Sequence, residues 1–429
     1  MVADHAGIGR GKAMPRAKFI EGMQGRGLRI PDSLFAMTVN GQYIENKYIE
    51  EREADLYLIP ELDTLVLVPW QDQPTASVIC DLEYEDGRMA EMAPRNVLKR
   101  VLELYRARGW KPIVAPEYEF YLMARQADQL ASPRPPKGKS GRIDTGTDSY
   151  SIDGLDEFTT LFNDIYDYCE AQHIQIDALT HETGPGQFEF NVNHGDPLSV
   201  ADQSFYFKRV VKRAAIKHDL YASFMAKPYP HAYGSAMHIH QSILDLNTGL
   251  NVFADDAGRD TPLFLNHIGG LQKYMPAAMP FLAPYVNSYL RMSAGQSSPV
   301  NTHWGRENRT AGLRVPSSTR AGRRVENRVA GSDVNPYLAI AASLACGYLG
   351  MVDELKASPP LTDSAYLKHT RSLPQHFLAG LDDLERSDAL QEVLGEAFVS
   401  VYVDIKRLEY DEYFAVLSPW EIENLMFNV

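Results

Sequence analysis

Five short stretches of this chain carry carboxylates, imidazoles or guanidiniums, most at the two-residue spacing that puts side chains on one face of a strand. In His181–Phe190 a Gly184-Pro185-Gly186 turn separates two segments with one glutamate each, Glu182 and Glu189. The two glycines allow the positive φ values of a tight turn, and Phe188 and Phe190 alternate with Glu189. Glu117 and Glu119 share a face in Pro116–Tyr121, as do His238, His240 and Ser242 in Met237–Ser242. Arg324, Glu326 and Arg328 share another, and Asn308–Pro316 adds Arg309 and Arg314 near a turn. Any one of these reads equally as a solvated strand face or a surface ion-pair ladder of little energetic value. Their coincidence points to one site of five glutamates, one or two histidines and several arginines. An oxygen-rich set suits Mg²⁺ or Mn²⁺ rather than zinc, and arginines grip phosphate or carboxylate with two parallel donors. Together they suit phosphoryl transfer, where charge must be neutralised and geometry held. Neither a Walker A loop nor a kinase glycine loop is present, and Gly7–Gly11 is not followed by a convincing helix.

The elements that must position these groups are legible in part. Residues 1–92 read as short strands and turns of a small, mostly β domain, with apolar runs at Asp55–Pro60, Thr64–Trp70 and Ala76–Leu82. The segment Gly41–Glu53 is polar and expected to be exposed. Pro94 suits the first turn of a helix whose apolar stripe is Val97, Leu98, Val101, Leu102, Leu104 and Tyr105, closed by Gly109. A strand follows from Pro112 to Met123, then a Pro-, Gly- and Ser-rich segment, Ala131–Asp148, expected to be a mobile surface loop. Helical spacing returns at Asp156–Ala171 and Leu198–Asp219, with a strand at Met237–Leu244. Further helices start at Thr261-Pro262 and Asn335-Pro336, and the chain is mostly helical from Pro374 on. Strands and helices mix without regular alternation, so the expected class is α+β.

Composition bounds the rest. At 429 residues, with 45% hydrophobic and 23% charged residues, the chain can bury a sizeable core. No apolar run approaches the ~20 residues of a membrane span, and no secretory signal is visible. A net charge of −14 speaks against nucleic acid and mildly for cationic ligands. Three scattered cysteines, Cys80, Cys169 and Cys346, argue against a disulfide framework, so a cytoplasmic enzyme is expected.

The motifs Arg-Gly-Lys at 10–12, Pro-Glu-Tyr-Glu-Phe at 116–120, Gly-Pro-Gly-Gln-Phe-Glu at 184–189 and Met-His-Ile-His-Gln-Ser at 237–242 occur in one order. With Asn-Arg-Thr at 308–310 and Val-Asn-Pro-Tyr-Leu-Ala at 334–339, the chain resembles the glutamine synthetase superfamily, closest to its γ-glutamylpolyamine synthetase branch. The resemblance implies an N-terminal β-grasp domain over 1–92 and a catalytic half-barrel with surrounding helices over 93–429. Stacked hexameric rings, with sites at subunit seams, are implied too. It assigns Glu119, Glu182 and Glu189 to one metal and Glu117, His238 and Glu326 to a second. His240, Ser242 and Arg324 would touch ATP; Arg309 and Arg314 would stabilise the phosphate in transfer. Gly234, Arg291 and Arg328 would bind the glutamate carboxylates. The implied reaction joins the γ-carboxylate of L-glutamate to an amine through γ-glutamyl phosphate.

Two departures bear on the amine. Ammonia-using members of the superfamily carry a flap glutamate where this chain has Ser297, and an N-terminal aspartate near the place of Asn40-Gly41-Gln42. Without those acids the pocket is expected to hold ammonium poorly and to admit an organic amine, a polyamine such as putrescine or spermidine. A monoamine or aromatic amine such as aniline, and ammonia itself, are the alternatives. Tyr43, Glu45 and the acidic run to Glu53 could attract a cation, or form a solvated loop. A non-catalytic member of the fold would have lost metal or phosphate ligands, and none is lost here. The resemblance also implies that the usual N-terminal helix is missing.

Overall fold

A computed structural model describes residues 1–429 except 50–52, 129, 147–148, 293–297 and 369–370. The first 92 residues hold seven short strands among the described residues: β1 (Val2–Ala3), β2 (Gly9–Arg10), β3 (Arg29–Pro31), β4 (Asp55–Pro60), β5 (Val66–Leu67), β6 (Ala76–Ser77) and β7 (Cys80–Glu83). β3, β4 and β7 form an antiparallel sheet whose alternate residues Ile30, Leu56, Leu58 and Leu82 are buried. One element departs from the expected run of strands and turns: α1 (Arg16–Gln24) is a helix. None of its residues is buried, so it carries no apolar stripe and no periodic signal.

The described residues of the polar segment Gly41–Glu53 are exposed or half-buried, as expected, and the segment is tethered, together with the two residues before it, to acids near the C-terminus. Val39 N–H donates to Glu409 Oε1 (2.7 Å), Asn40 Nδ2 to Glu412 Oε2 (2.7 Å) and Tyr48 Oη to Glu396 Oε1 (2.8 Å). Tyr43 and Glu45 remain exposed, and Glu50, Glu51 and Arg52 lie outside the described residues.

From Pro94 the chain builds one large mixed sheet against helices. α2 (Pro94–Ala107) buries Val97, Leu98, Val101 and Tyr105 of the expected stripe and leaves Leu102 and Leu104 half-buried, and Tyr105 Oη donates to Leu344 O at 2.8 Å. β8 (Trp110–Ala124) is the spine. α3 (Ile152–Asp156) and α4 (Thr159–Ala171) follow, then β9 (Ile176–His181), β10 (Gln187–Val192), α5 (Pro197–Lys217) and β11 (Leu220–Ser223). β12 (Met237–Asp245), α6 (Pro262–Leu282), α7 (Val286–Arg291), β13 (Trp304–Arg306), β14 (Leu313–Val315) and β15 (Val325–Asn327) come next. α8 (Pro336–Val352), α9 (Phe377–Glu385), α10 (Asp388–Leu394), α11 (Glu396–Phe414) and α12 (Pro419–Asn424) complete the chain. The sheet order is β13-β14-β15-β12-β8-β10-β9, with β11 also on β8. Every pairing is antiparallel except β13 with β14. Among the described residues no helix is long and apolar enough to cross a membrane. The class is α+β, as expected.

The described part of 131–148 also differs from a free surface loop. Asp144 Oδ2 lies 2.9 Å from His181 Nε2, and a Cβ on Gly146 would come within 2.5 Å of Pro185 N. The loop is laid against the Gly184–Gly186 turn, which the composition of the segment does not reveal.

Candidate active site

The strand registers decide which side chains meet. Directly opposed residues in an antiparallel pair project to the same side of a sheet. Glu119 opposes Glu189, Glu117 opposes His238, His240 opposes Glu326, and Glu326 opposes Arg314. Alternation then puts Glu117, Glu119, Glu189, His238, His240, Glu326 and Arg314 on one face, from four pairings distant in sequence. The other face is aromatic. Tyr118, Phe120, Phe188 and Phe190 are fully buried, with Phe207 of α5 at 5.6 Å from both Tyr118 and Phe190. Burial of these rings sets the orientation of the strands, and so turns the acids the other way.

The turn before β10 is built by close approach. Gly186 takes φ +75° as expected, but Gly184 does not; a side chain there would run into Tyr121 Oη. Gln187, which the sequence reading did not single out, lies at the heart of this turn. Its amide nitrogen donates to Glu119 Oε2 (3.3 Å) and Gly234 O (3.0 Å), and its carbonyl accepts from Gly184 N–H (3.0 Å). The signal available was alternation, since Gln187 is two residues before Glu189.

The acids and imidazoles form a compact set. Glu117 accepts from both histidines, His238 Nδ1 at 3.1 Å and His240 Nε2 at 2.9 Å. His238 Nδ1 also lies 3.8 Å from Glu326 Oε1, and its Nε2 lies 3.9 Å from Glu119 Oε1. Two groups, Glu117–His240–Glu326 and Glu117–Glu189–His238, have donor atoms all within 4.8 Å of one another. Glu119 and Glu182 both stand outside these two groups, although Glu182 is close enough to Glu119 to act on its charge.

Charge is unevenly balanced across this face. Burial, then the charge of Glu182, pushes Glu119 up to about 8. Burial also raises Glu182, and burial with four neighbouring glutamates raises Glu189 well above the carboxylate range. Burial opposes the charge of Glu326 as well, yet Arg328 and the two histidines hold it down at about 2. Glu117 is low against the same burial because both histidines hydrogen-bond to it. Burial, with Arg328 beside it, lowers His238 to about 4, leaving a neutral ring suited to ligation. A crowded carboxylate group with neutral imidazole nitrogens is a donor set that fits a hard divalent cation.

Arginines rim the set. Arg314 donates to Glu326 Oε2 (2.8 Å) and Glu307 Oε2 (3.0 Å), and Arg328 pairs with Glu326 Oε1. The Nε–H groups of Arg314 and Arg328 are buried without a partner among the described residues, leaving two donors for an anion. Arg324 Nε donates to His240 Nδ1 (3.1 Å), which assigns the ring proton of His240 to Nε2, toward Glu117. Arg309 is exposed and lowers Glu182 by its charge. Ser242 is half-buried on β12, two residues beyond His240. Arg291 is buried and donates to Val329 O (2.7 Å) and Arg328 O (2.9 Å). Ser297 lies outside the described residues.

Gly234 packs flat on Arg291. A Cβ there would collide with Arg291 Cγ and lie 2.8 Å from Ala226 O. Gly234→Ala is therefore expected to destabilise the protein by about 1–3 kcal/mol and to displace the Arg291 side chain. Thermal melting beside the parent chain checks this; an unchanged melting temperature would show that the neighbours yield freely.

Residues 91–425 match the family described as glutamine synthetase, catalytic domain. The chain is 37% identical to γ-glutamylputrescine synthetase PuuA of Escherichia coli K12, over 100% of its own length and 91% of that protein's. It is 32% identical to a glutamate–isopropylamine ligase of a Pseudomonas species (98% and 92%). It is 31% identical to a glutamine synthetase of Thermus thermophilus (94% and 92%). Among solved structures, GmaS without ligand superposes with a TM-score of 0.83 at 27% identity, covering 99% of this chain and 95% of GmaS.

Proposed function

Because the chain belongs to the glutamine synthetase family, we propose that ATP and L-glutamate react over the acidic face of the large sheet and that the acceptor is a polyamine such as putrescine. The enzyme is an ATP-dependent ligase that joins glutamate to an amine. The observation that carries the site is the register that opposes Glu117 to His238, Glu119 to Glu189 and His240 to Glu326.

The reaction has two steps. A γ-carboxylate oxygen of glutamate attacks the terminal phosphorus of ATP, and the bond to ADP breaks. The amine nitrogen then attacks the acyl carbon, phosphate leaves with its oxygen, and the nitrogen gives up a proton. In this reading Glu119, Glu182 and Glu189 hold one Mg²⁺ or Mn²⁺, and Glu117, His238 and Glu326 a second; such ions neutralise phosphate charge when bound. His240, Ser242 and Arg324 take ATP, and the Arg324–His240 hydrogen bond keeps that pair oriented. Arg309 and Arg314 face the phosphoryl group in transfer, the unpartnered Nε–H of Arg314 being one donor for it. Gly234, Arg291 and Arg328 receive the glutamate carboxylates, with Gly234 leaving Arg291 room. No side chain need become a nucleophile, since positioning and charge neutralisation suffice.

Two units, 1–92 and 93–429, are our division of the chain, supported by the start of α2 at Pro94. Stacked hexameric rings are supported by the apolar end of the chain, where Phe414, Trp420 and Phe427 are 75%, 63% and 87% exposed. ATP and glutamate as substrates support a cytoplasmic place of action.

The polyamine reading is supported by the γ-glutamylputrescine synthetase relative and by Ser297 and Asn40 standing where ammonia-using enzymes place acids. The isopropylamine ligase favours a monoamine as the second reading. Phosphate release from ATP and glutamate, with ammonium, putrescine, spermidine, isopropylamine and aniline at matched concentration, separates them. Putrescine is expected to exceed ammonium at least tenfold in kcat/KM, and Ser297→Glu to narrow that ratio. A lead for ammonium, or no release with any amine, would sink the assignment.

A further inference from the structure

Away from the catalytic face, the N-terminal strands and α5 line an open cavity of about 620 Å³. Arg10, Lys12, Arg16 and Arg209 line it, and no aspartate or glutamate does. That is unexpected in a chain with 56 acids against 42 lysines and arginines. A cavity of about 1000 Å³ beside α2 has Glu91, Glu103 and Asp196 among its cations, so one-sided lining is not general to this surface.

The four cations are not equally satisfied. Arg10 is held by Asp4 at 2.8 Å. Lys12 and Arg16 are exposed on the rim, with no ion pair among the described residues. Arg209 is the informative one. It is half-buried, donates to the sulfur of Met1 at 3.1 Å and lies over the Trp70 ring at 5.7 Å, with no carboxylate partner among the described residues. A guanidinium drawn out of water without a counter-ion is costly, and an anion in the cavity would offset that cost. Burial already lowers the proton affinity of Arg209. The Phe19 and Leu58 side chains line the same space, which therefore offers apolar surface beside the charge. Its volume is that of a small-molecule site, and it shares no residue with the acidic face.

We propose that this cavity binds a small molecule bearing a phosphate or carboxylate group on an apolar body, at a site separate from catalysis. Arg209 and the rim residues Lys12 and Arg16 would grip the anion, as guanidinium and ammonium groups do. Phenyl phosphate and phenylsuccinate, titrated calorimetrically into the full chain in Mg²⁺ buffer, test this and distinguish the two anion types. Saturable binding is expected in at least one arm, weakened at least tenfold by Arg209→Gln and by the double variant Lys12→Gln, Arg16→Gln. The rim pair is exposed, so its loss of binding cannot be ascribed to misfolding. Absence of binding in both arms, or equal affinity in the rim variant, would overturn the proposal.

Discussion

Glu326→Gln is expected to lower kcat/KM at least a thousandfold with every amine, while the protein still folds. Glu326 is fully buried, and its two oxygens engage Arg314 and Arg328. It opposes His240 in the ladder and lies 3.8 Å from His238. Glutamine keeps the volume and two polar atoms but removes the charge that balances both arginines. Loss of one partner from a buried pair costs about 3–5 kcal/mol of stability, so part of the effect falls on the fold. Phosphate release measured beside thermal melting separates the two. A variant that melts lower but turns over normally would leave Glu326 a structural counter-ion and remove it from the metal set.

Without divalent ions, the protein is expected to lose stability as pH rises from about 6 to about 8, on the order of 5 °C in melting temperature. Glu119 is raised from 4.5 to about 8, and Glu182 and Glu189 are raised as well. A carboxylate raised in the folded state binds more protons there than in the unfolded chain. Its contribution is complete below the ordinary carboxylate range and fades as pH climbs through the folded value. Glu117 and Glu326 are held low and lie outside that window. A divalent cation replaces the protons, so Mg²⁺ or Mn²⁺ should restore the melting temperature near pH 8 and matter little near pH 6. A metal-free melt flat across the range would show that these carboxylates are neutralised by other means.

How much of this was legible beforehand differs between elements for physical reasons. Glu117 and Glu119 alternate with Tyr118 and Phe120, and that local pattern already implied one polar and one apolar strand face. The α2 stripe was visible for the same reason, as was the Pro94 start. α1 was not, because a helix that buries nothing leaves no periodic trace. The loop around Asp144 was read from its Pro, Gly and Ser content as free, but the Asp144–His181 contact and the packing of Gly146 on Pro185 tie it to the site turn. The first joins residues 37 apart, and neither has a local signature.

The amino-acid sequence by itself determined which residues could face a site, because period-two alternation is set by the backbone within a few residues. The motifs carried a family likeness in the same way. Only the tertiary structure decided that Glu119 meets Glu189, that His240 meets Glu326, and that Gln187 bridges Glu119 to Gly234. Register is fixed by burying Phe120, Phe188 and Phe190 against helices far along the chain, and a slip of one residue would turn every acid into the core. The unpaired Arg209 cavity is likewise a product of packing, since its cations come from residues 10 to 16 and from 209.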